Sequence, residues 1–209
     1  MPLAREGYPH IIGAVVLTAL LFFLGWSLAA WLALALAAFT ISFFRDPERD
    51  IPSDPRLILA PADGKVIGVK PVQDERFLNG PATLVSIFMS PLNVHVNRVP
   101  ATGRVVDVRY NAGKYFRAFA DKASLDNEQN AIVMEDACGR RLCFVQIAGF
   151  LARRIVCYLH PGMDVEHGQR CGMILFGSRV DLYVPPAVHV RVRVGEHARG
   201  GETVIAEWP

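Results

Sequence analysis

The feature that most constrains this chain is a run of 34 residues without a charge, Ile11 to Phe44, whose only polar side chains are Thr18, Ser27, Thr40 and Ser42. Such a run must meet lipid. As one straight helix it would be about 51 Å long at 1.5 Å per residue, well past a hydrocarbon core of about 30 Å. Gly25-Trp26-Ser27 lies at its middle. A turn there divides the run into two helices of roughly 13 to 17 residues, the dimensions of a re-entrant or monotopic hairpin; the alternative is a single tilted membrane helix. A cleaved signal peptide is disfavoured, because the apolar run is too long and Arg45-Asp-Pro-Glu-Arg-Asp50 follows it without a small-residue cleavage site. The flanking charges are of both signs, so they do not choose an orientation.

Residues 1–50 are therefore expected to form a hydrophobic membrane-associating segment, and residues 51–209 one domain large enough to bury a core. The net charge of +2 comes from interspersed Lys/Arg and Asp/Glu, with no basic block to suggest nucleic acid as a partner. The four cysteines (Cys138, Cys143, Cys157, Cys171) have neither CxxC spacing nor the density of a disulfide scaffold. They point to reduced thiols in a cytosol-facing domain and to no metal site.

Beyond Ile51 the pattern becomes short apolar runs broken by Gly, Pro and Asp: 57–60, 65–72, 82–89, 103–110, 131–135, 142–147 and 179–184. Spacing of this kind predicts many short strands. His189 to Val194 alternates and reads as a half-buried strand, and 203–208 as a last one. The one helix expected here is Leu151 to Leu159. The fold class is mostly β, a barrel or sandwich preceded by the hydrophobic hairpin or membrane helix. Pro61-Ala-Asp-Gly-Lys-Val66 and Val165-Glu-His-Gly-Gln-Arg-Cys-Gly172 resemble turn-and-strand elements of biotinyl/lipoyl-type hybrid barrels.

Within Leu175-Phe-Gly-Ser-Arg-Val-Asp-Leu-Tyr-Val-Pro185, Gly177 leaves its carbonyl open to close approach by the Ser178 hydroxyl. Attack there gives an N-to-O acyl shift, and elimination from the resulting ester cuts the chain and leaves a dehydroalanine that hydrolyses to a pyruvoyl group. The serine needs a base and the base an orienting group. His95, in Phe88-Met-Ser-Pro-Leu-Asn-Val-His-Val-Asn-Arg-Val-Pro100, is the candidate base, and Asp63 the candidate orienter, although Asp-Gly is also ordinary turn chemistry.

These residues carry a resemblance. Phe43-Phe-Arg-Asp-Pro-Glu-Arg49, Pro61-Ala-Asp-Gly64, Phe88-Met-Ser-Pro with His95, Asn111-Ala-Gly-Lys-Tyr115, Asn127-Glu-Gln-Asn130, Gly149 with Ala152-Arg-Arg-Ile155, Arg170 through Ser178 and Asp181-Leu-Tyr-Val-Pro185 are similar, in order and spacing, to the short archaeal-type branch of the phosphatidylserine decarboxylase proenzymes. The resemblance implies self-cleavage between Gly177 and Ser178 into a large chain, 1–177, and a small chain, 178–209, held as a heterodimer. Ser178, His95 and Asp63 would be the catalytic residues. The implied cofactor is the pyruvoyl group derived from Ser178, which forms a Schiff base with phosphatidylserine and takes up electrons as carbon dioxide leaves, yielding phosphatidylethanolamine. Arg179 stands where many relatives have Thr, and Arg98 where longer bacterial forms have a second His.

Phosphatidylserine and the membrane surface are then the expected partners, with Arg98, Arg104, Lys114, Arg117, Arg153 and Arg154 as candidates for the anionic headgroup. The leader would place the domain at the cell membrane, facing the cytoplasm, and would be dispensable for self-cleavage. Two other classes fit the bare residues: a non-catalytic membrane-anchored adaptor, and a membrane serine hydrolase using Ser178, which would want the GxSxG elbow that this chain lacks.

Overall fold

In the computed structural model, which describes residues 2–113, 127–149, 154–175 and 178–209, the apolar run breaks at Gly25. Helix α1 (Tyr8–Phe23) ends in a Schellman motif: Trp26 N–H donates to the Leu21 carbonyl and Gly25 N–H to that of Phe22, both at 3.0 Å. Gly25 takes φ +73°, the left-handed conformation this motif requires and glycine tolerates. Helix α2 (Ser27–Phe43) then returns alongside α1, with Phe22 and Trp31 edge to face at 5.5 Å. The run thus forms the hairpin and not the single tilted helix. Each arm is about 25 Å long. Both are apolar all round and largely uncovered by the rest of the protein, and residues Arg5–Phe23 are long and apolar enough to cross a membrane.

The hairpin closes on itself at its base. Leu3 and Arg45 form an antiparallel bridge, Ala4 N–H donates to the Phe44 carbonyl (2.8 Å), and Asp46 N–H to that of Pro2 (2.9 Å). Chain entry and exit therefore lie together at one end, against the β domain.

Among the described residues that domain has fourteen strands in three antiparallel sheets. They are β1 (Leu57–Leu59), β2 (Gly64–Asp74), β3 (Gly80–Met89), β4 (Val96–Arg98), β5 (Gly103–Asn111), β6 (Gln129–Glu135), β7 (Arg141–Ala148), β8 (Ile155–Cys157), β9 (Asp164–Val165), β10 (Arg170–Ile174), β11 (Ser178–Val184), β12 (His189–Val190), β13 (His197–Ala198) and β14 (Val204–Glu207). A curled sheet of eight runs β13-β2-β3-β11-β7-β6-β5-β9, and two small sheets run β1-β14-β12 and β4-β10-β8. Strand alternation divides the side chains between two cores. Val180, Leu182 and Val184 of β11 join Ile58, Ile87, Ile132, Phe144 and Trp208 inside the curl, whereas Tyr183 joins Leu84, Val133 and Val145 on its other face.

Two sequence expectations change. The helix expected over 151–159 is replaced, where the chain is described, by strand β8, because Ile155–Cys157 supplies the partner that β10 needs on its open edge; Gly172 lies opposite Cys157. In 189–194 only His189–Val190 joins a ladder, and burial alternates only in part: Val192 is buried, Val190 half-buried and Val194 exposed. All four cysteines are free thiols.

Gly172 has φ +147°, and a Cβ there would lie 2.0 Å from the Val156 carbonyl oxygen, whereas Gly139 (φ +76°) faces open space. Gly172→Ala should therefore cost more than about 3 kcal/mol, and Gly139→Ala about 1 kcal/mol. Thermal unfolding of the two variants checks the difference; equal losses would mean the β8–β10 contact is not as tight as described.

Candidate active site

Ser178 is the first residue of β11, the strand flanked in the curled sheet by β3 and β7, and it lies opposite Met89 on one side and Ala148 on the other. Sharing the strand face of Val180 and Leu182, its side chain is wholly buried, and the hydroxyl donates to the Met89 sulfur at 3.3 Å. A thioether is a weak acceptor, so the hydroxyl proton is only loosely held. The same sulfur receives Asn97 Nδ2 (3.7 Å); Gln146 Nε2 donates to Asn97 Oδ1 (3.0 Å), and Asn130 Nδ2 to Gln146 Oε1 (3.2 Å). A buried polar chain thus crosses from β6 through β7 to β4 and ends at Ser178.

His95 lies two residues before Asn97, at the entrance to β4, and has no exposed surface. Its Nδ1 is 2.9 Å from the Asn93 carbonyl oxygen. A carbonyl only accepts, so Nδ1 carries the proton and Nε2 keeps its lone pair. That Nε2 is buried, and no described residue hydrogen-bonds to it. Burial pushes the ring down to about 4; the Asn93 hydrogen bond opposes this, and the nearby Arg45 cation reinforces it. At neutral pH the imidazole is therefore uncharged, with one nitrogen able to accept a proton.

Asp63 occupies a different place. Its carboxylate receives Arg49 Nη2 at 2.8 and 2.9 Å and the Gly200 N–H at 2.8 Å, while the orienting bond on His95 comes from Asn93. The connection to His95 runs through the backbone: the Pro61 carbonyl, two residues before Asp63, accepts the Arg98 N–H of β4 (2.9 Å). Gly177 lies outside the described residues, as do Lys114, Arg117 and Arg153.

Arg98 is buried and engaged, donating to the Gly168 and Pro47 carbonyls and lying 3.6 Å from Asp46. It clasps the leader's exit to the domain. Arg104 and Arg154 are exposed. Arg179 pairs with buried Asp181 at 3.0 Å on the strand face opposite Ser178, so the departure from Thr does not intrude on the serine. Sequence reasoning missed Asn93, Asn97 and Gln146. The signal available was the density of Asn and Gln inside otherwise apolar strand segments.

A family model described as phosphatidylserine decarboxylase matches residues 36–206. Proteins named phosphatidylserine decarboxylase proenzyme are similar over nearly the whole length. The one from Syntrophotalea carbinolica is 49% identical over 204 residues, covering 98% of this chain and 95% of its own. That from Geobacter metallireducens is 46% identical over 213 residues, covering 100% and 97%. A third, from Desulfotalea psychrophila, is 42% identical over 207 residues, covering 99% and 97%.

The His95 ring titrates near 4 in the fold and near 6.5 when unfolded, so the unfolded chain binds more protons between these values. Its contribution is fully present above about pH 6.5 and is lost as pH falls towards 4, on the order of 3 kcal/mol. In a Ser178→Ala background, which keeps the chain uncut, adding His95→Gln should flatten the acid limb of a stability curve measured by denaturant unfolding. Superimposable acid limbs would show that His95 is not desolvated as described.

Proposed function

Because the chain belongs to the phosphatidylserine decarboxylase family, we propose that it matures by cutting itself between Gly177 and Ser178, and that a pyruvoyl group made from Ser178 serves the reaction. The enzyme is a carboxy-lyase, made as a proenzyme, that converts phosphatidylserine to phosphatidylethanolamine and carbon dioxide. The observation that carries the finer reading is the combination of a buried Ser178 at the head of β11 with a neutral His95 whose Nε2 lone pair no described residue occupies. The adaptor and hydrolase readings gain no support from these relatives.

In maturation His95 Nε2 takes the hydroxyl proton and Ser178 Oγ attacks the carbonyl carbon of residue 177. The amide C–N bond breaks, the nitrogen takes up a proton, and an ester joins the two residues. Removal of the Ser178 α-proton then expels Oγ with the carboxylate of residue 177, which becomes the C-terminus of the large chain. Water replaces the nitrogen of residue 178, which leaves as ammonia. The residues present suit such a group, since the position is buried, uncharged and without a strong hydrogen bond to the side chain. When formed, the pyruvoyl group supplies an electron-accepting ketone that binds the substrate amine and drains electrons from the bond to the departing carboxylate. In this reading His95 Nε2 then holds the proton that the α-carbon receives.

Asp63 serves as a positioning residue in this account, holding Arg49 and the Gly200 loop against the backbone that supports β4. The small chain, 178–209, stays bound as a heterodimer because β11 is paired along its length with β3 and β14 is paired with β1. In this reading the apolar hairpin holds the domain at the cell membrane, on the cytoplasmic side, where the lipid substrate lies.

Mass spectrometry tests the reading. The wild type should give fragments 1–177 and 178–209, the smaller with a blocked N-terminus, and Ser178→Ala a single inactive chain of 23.1 kDa. Asp63→Ala should slow processing at least tenfold, and Asp63→Asn, which keeps the oxygen facing the Gly200 N–H, less. Normal processing of Ser178→Ala would refute the pyruvoyl assignment, and wild-type processing of Asp63→Ala the role given to Asp63.

A further inference from the structure

The sequence alone treats the leader as an anchor separable from the chemistry, but the base of the hairpin is packed onto His95, the residue that leads into β4. Phe43, the last residue of α2, lies with its ring centroid 4.1 Å from that of His95, the planes 34° apart. Phe43 is 1% exposed and His95 0%. Around them Phe44, Ala4, Val94, Val96 and Met173 form one cluster shared by the leader, β4 and β10. Phe44 meets Phe43 edge to face at 5.1 Å and stacks on His10 of α1 at 5.4 Å, so both arms brace the contact.

We propose that Phe43 is a positioning residue of the active centre: the membrane hairpin supplies the wall that fixes the His95 ring and keeps water from it. This rests on His95 being the proton acceptor for Ser178. Asn93 fixes one edge of the imidazole and Phe43 covers one face, which leaves Nε2 as the nitrogen free to take a proton. The charge that the ring senses from the leader is Arg45, whose guanidinium is held by the Ser42 and Leu92 carbonyls at 2.7 and 2.6 Å. Phe43, which covers the ring, is uncharged, as are Val94, Val96 and Met173 in the cluster it shares with the domain, and the Ser90–Asn93 turn is also neutral. The hairpin that enters lipid thus also keeps the base uncharged. Removing residues 1–44 would expose His95 to water and impair self-cleavage in detergent as well as in bilayers.

The test uses the full chain in detergent micelles. In a Ser178→Ala background, NMR of labelled histidine follows the His95 titration and tautomer; with Ser178 present, the rate of self-cleavage is followed by mass. Phe43→Ala should move the His95 midpoint from about 4 towards the ordinary imidazole value and slow cleavage at least tenfold, with Phe43→Leu between it and the wild type. Trp31→Ala, 61% exposed and far along the hairpin, should change neither. If Phe43→Ala does not fold, the folded Phe43→Leu decides. An unchanged midpoint and rate in a folded Phe43 variant, while His95→Ala stays uncut, would overturn the proposal and leave the role of His95 standing. Cleavage of His95→Ala at the wild-type rate would instead overturn the reading on which the proposal rests.

Discussion

Desolvation of one imidazole organises this molecule. An uncharged His95 with a single open nitrogen requires that its other nitrogen be bonded, its faces covered and water kept out, and each requirement is met by a different part of the chain. The Ser90–Asn93 turn supplies the carbonyl and the hairpin base supplies the aromatic face, with Met173 of β10 in the same apolar cluster as that base. Burial of apolar side chains such as Phe43, Phe44 and Met173, each contributing roughly 2 kcal/mol, holds the leader against the domain. The ion pairs of Asp46 with Arg98 and Arg170 set the direction in which the chain leaves the hairpin. The base of the apolar hairpin and the buried imidazole thus share one packed surface.

The second constraint is the position of Ser178 in the sheet. A chain cut immediately before a strand would lose an edge strand easily, yet β11 is flanked by β3 and β7 and carries core residues on both faces. A cut at that point would free a new chain end without releasing the strand. The hydroxyl at its head faces a thioether, whereas Asn97, Gln146 and Asn130 satisfy one another nearby. Polar groups around the serine are therefore committed, and its proton is the loosely held one.

Much of this was legible in the sequence because the signals were local. Glycine at position 25 in a run too long to cross once implies a hairpin, and the Schellman bonds show why that residue was needed. Alternating apolar runs gave most strands of the curled sheet, since a strand buried on one face shows its period directly. Failures were non-local. The apolar stretch at Ile155–Cys157 becomes a strand because β10 requires a partner, which nothing within the stretch records. Asp63 looks like a free turn carboxylate until Arg49 and Gly200 are brought to it, the latter from 137 positions along the chain. Phe43 reads as one more lipid-facing aromatic, and its contact with His95 depends on closure of the hairpin base.

The central claim is that a neutral, desolvated His95 takes the Ser178 proton, and the pH dependence of self-cleavage tests it most directly. Full-length chain would be made by cell-free synthesis into detergent, transferred to buffers from pH 3 to 9, and followed by mass for the appearance of the 178–209 fragment. The rate should rise as pH passes through about 4 and be level by neutrality, because His95 is then fully deprotonated. A rate still climbing tenfold per pH unit between 7 and 9 would contradict the account, since it would mean that a group other than this imidazole accepts the proton.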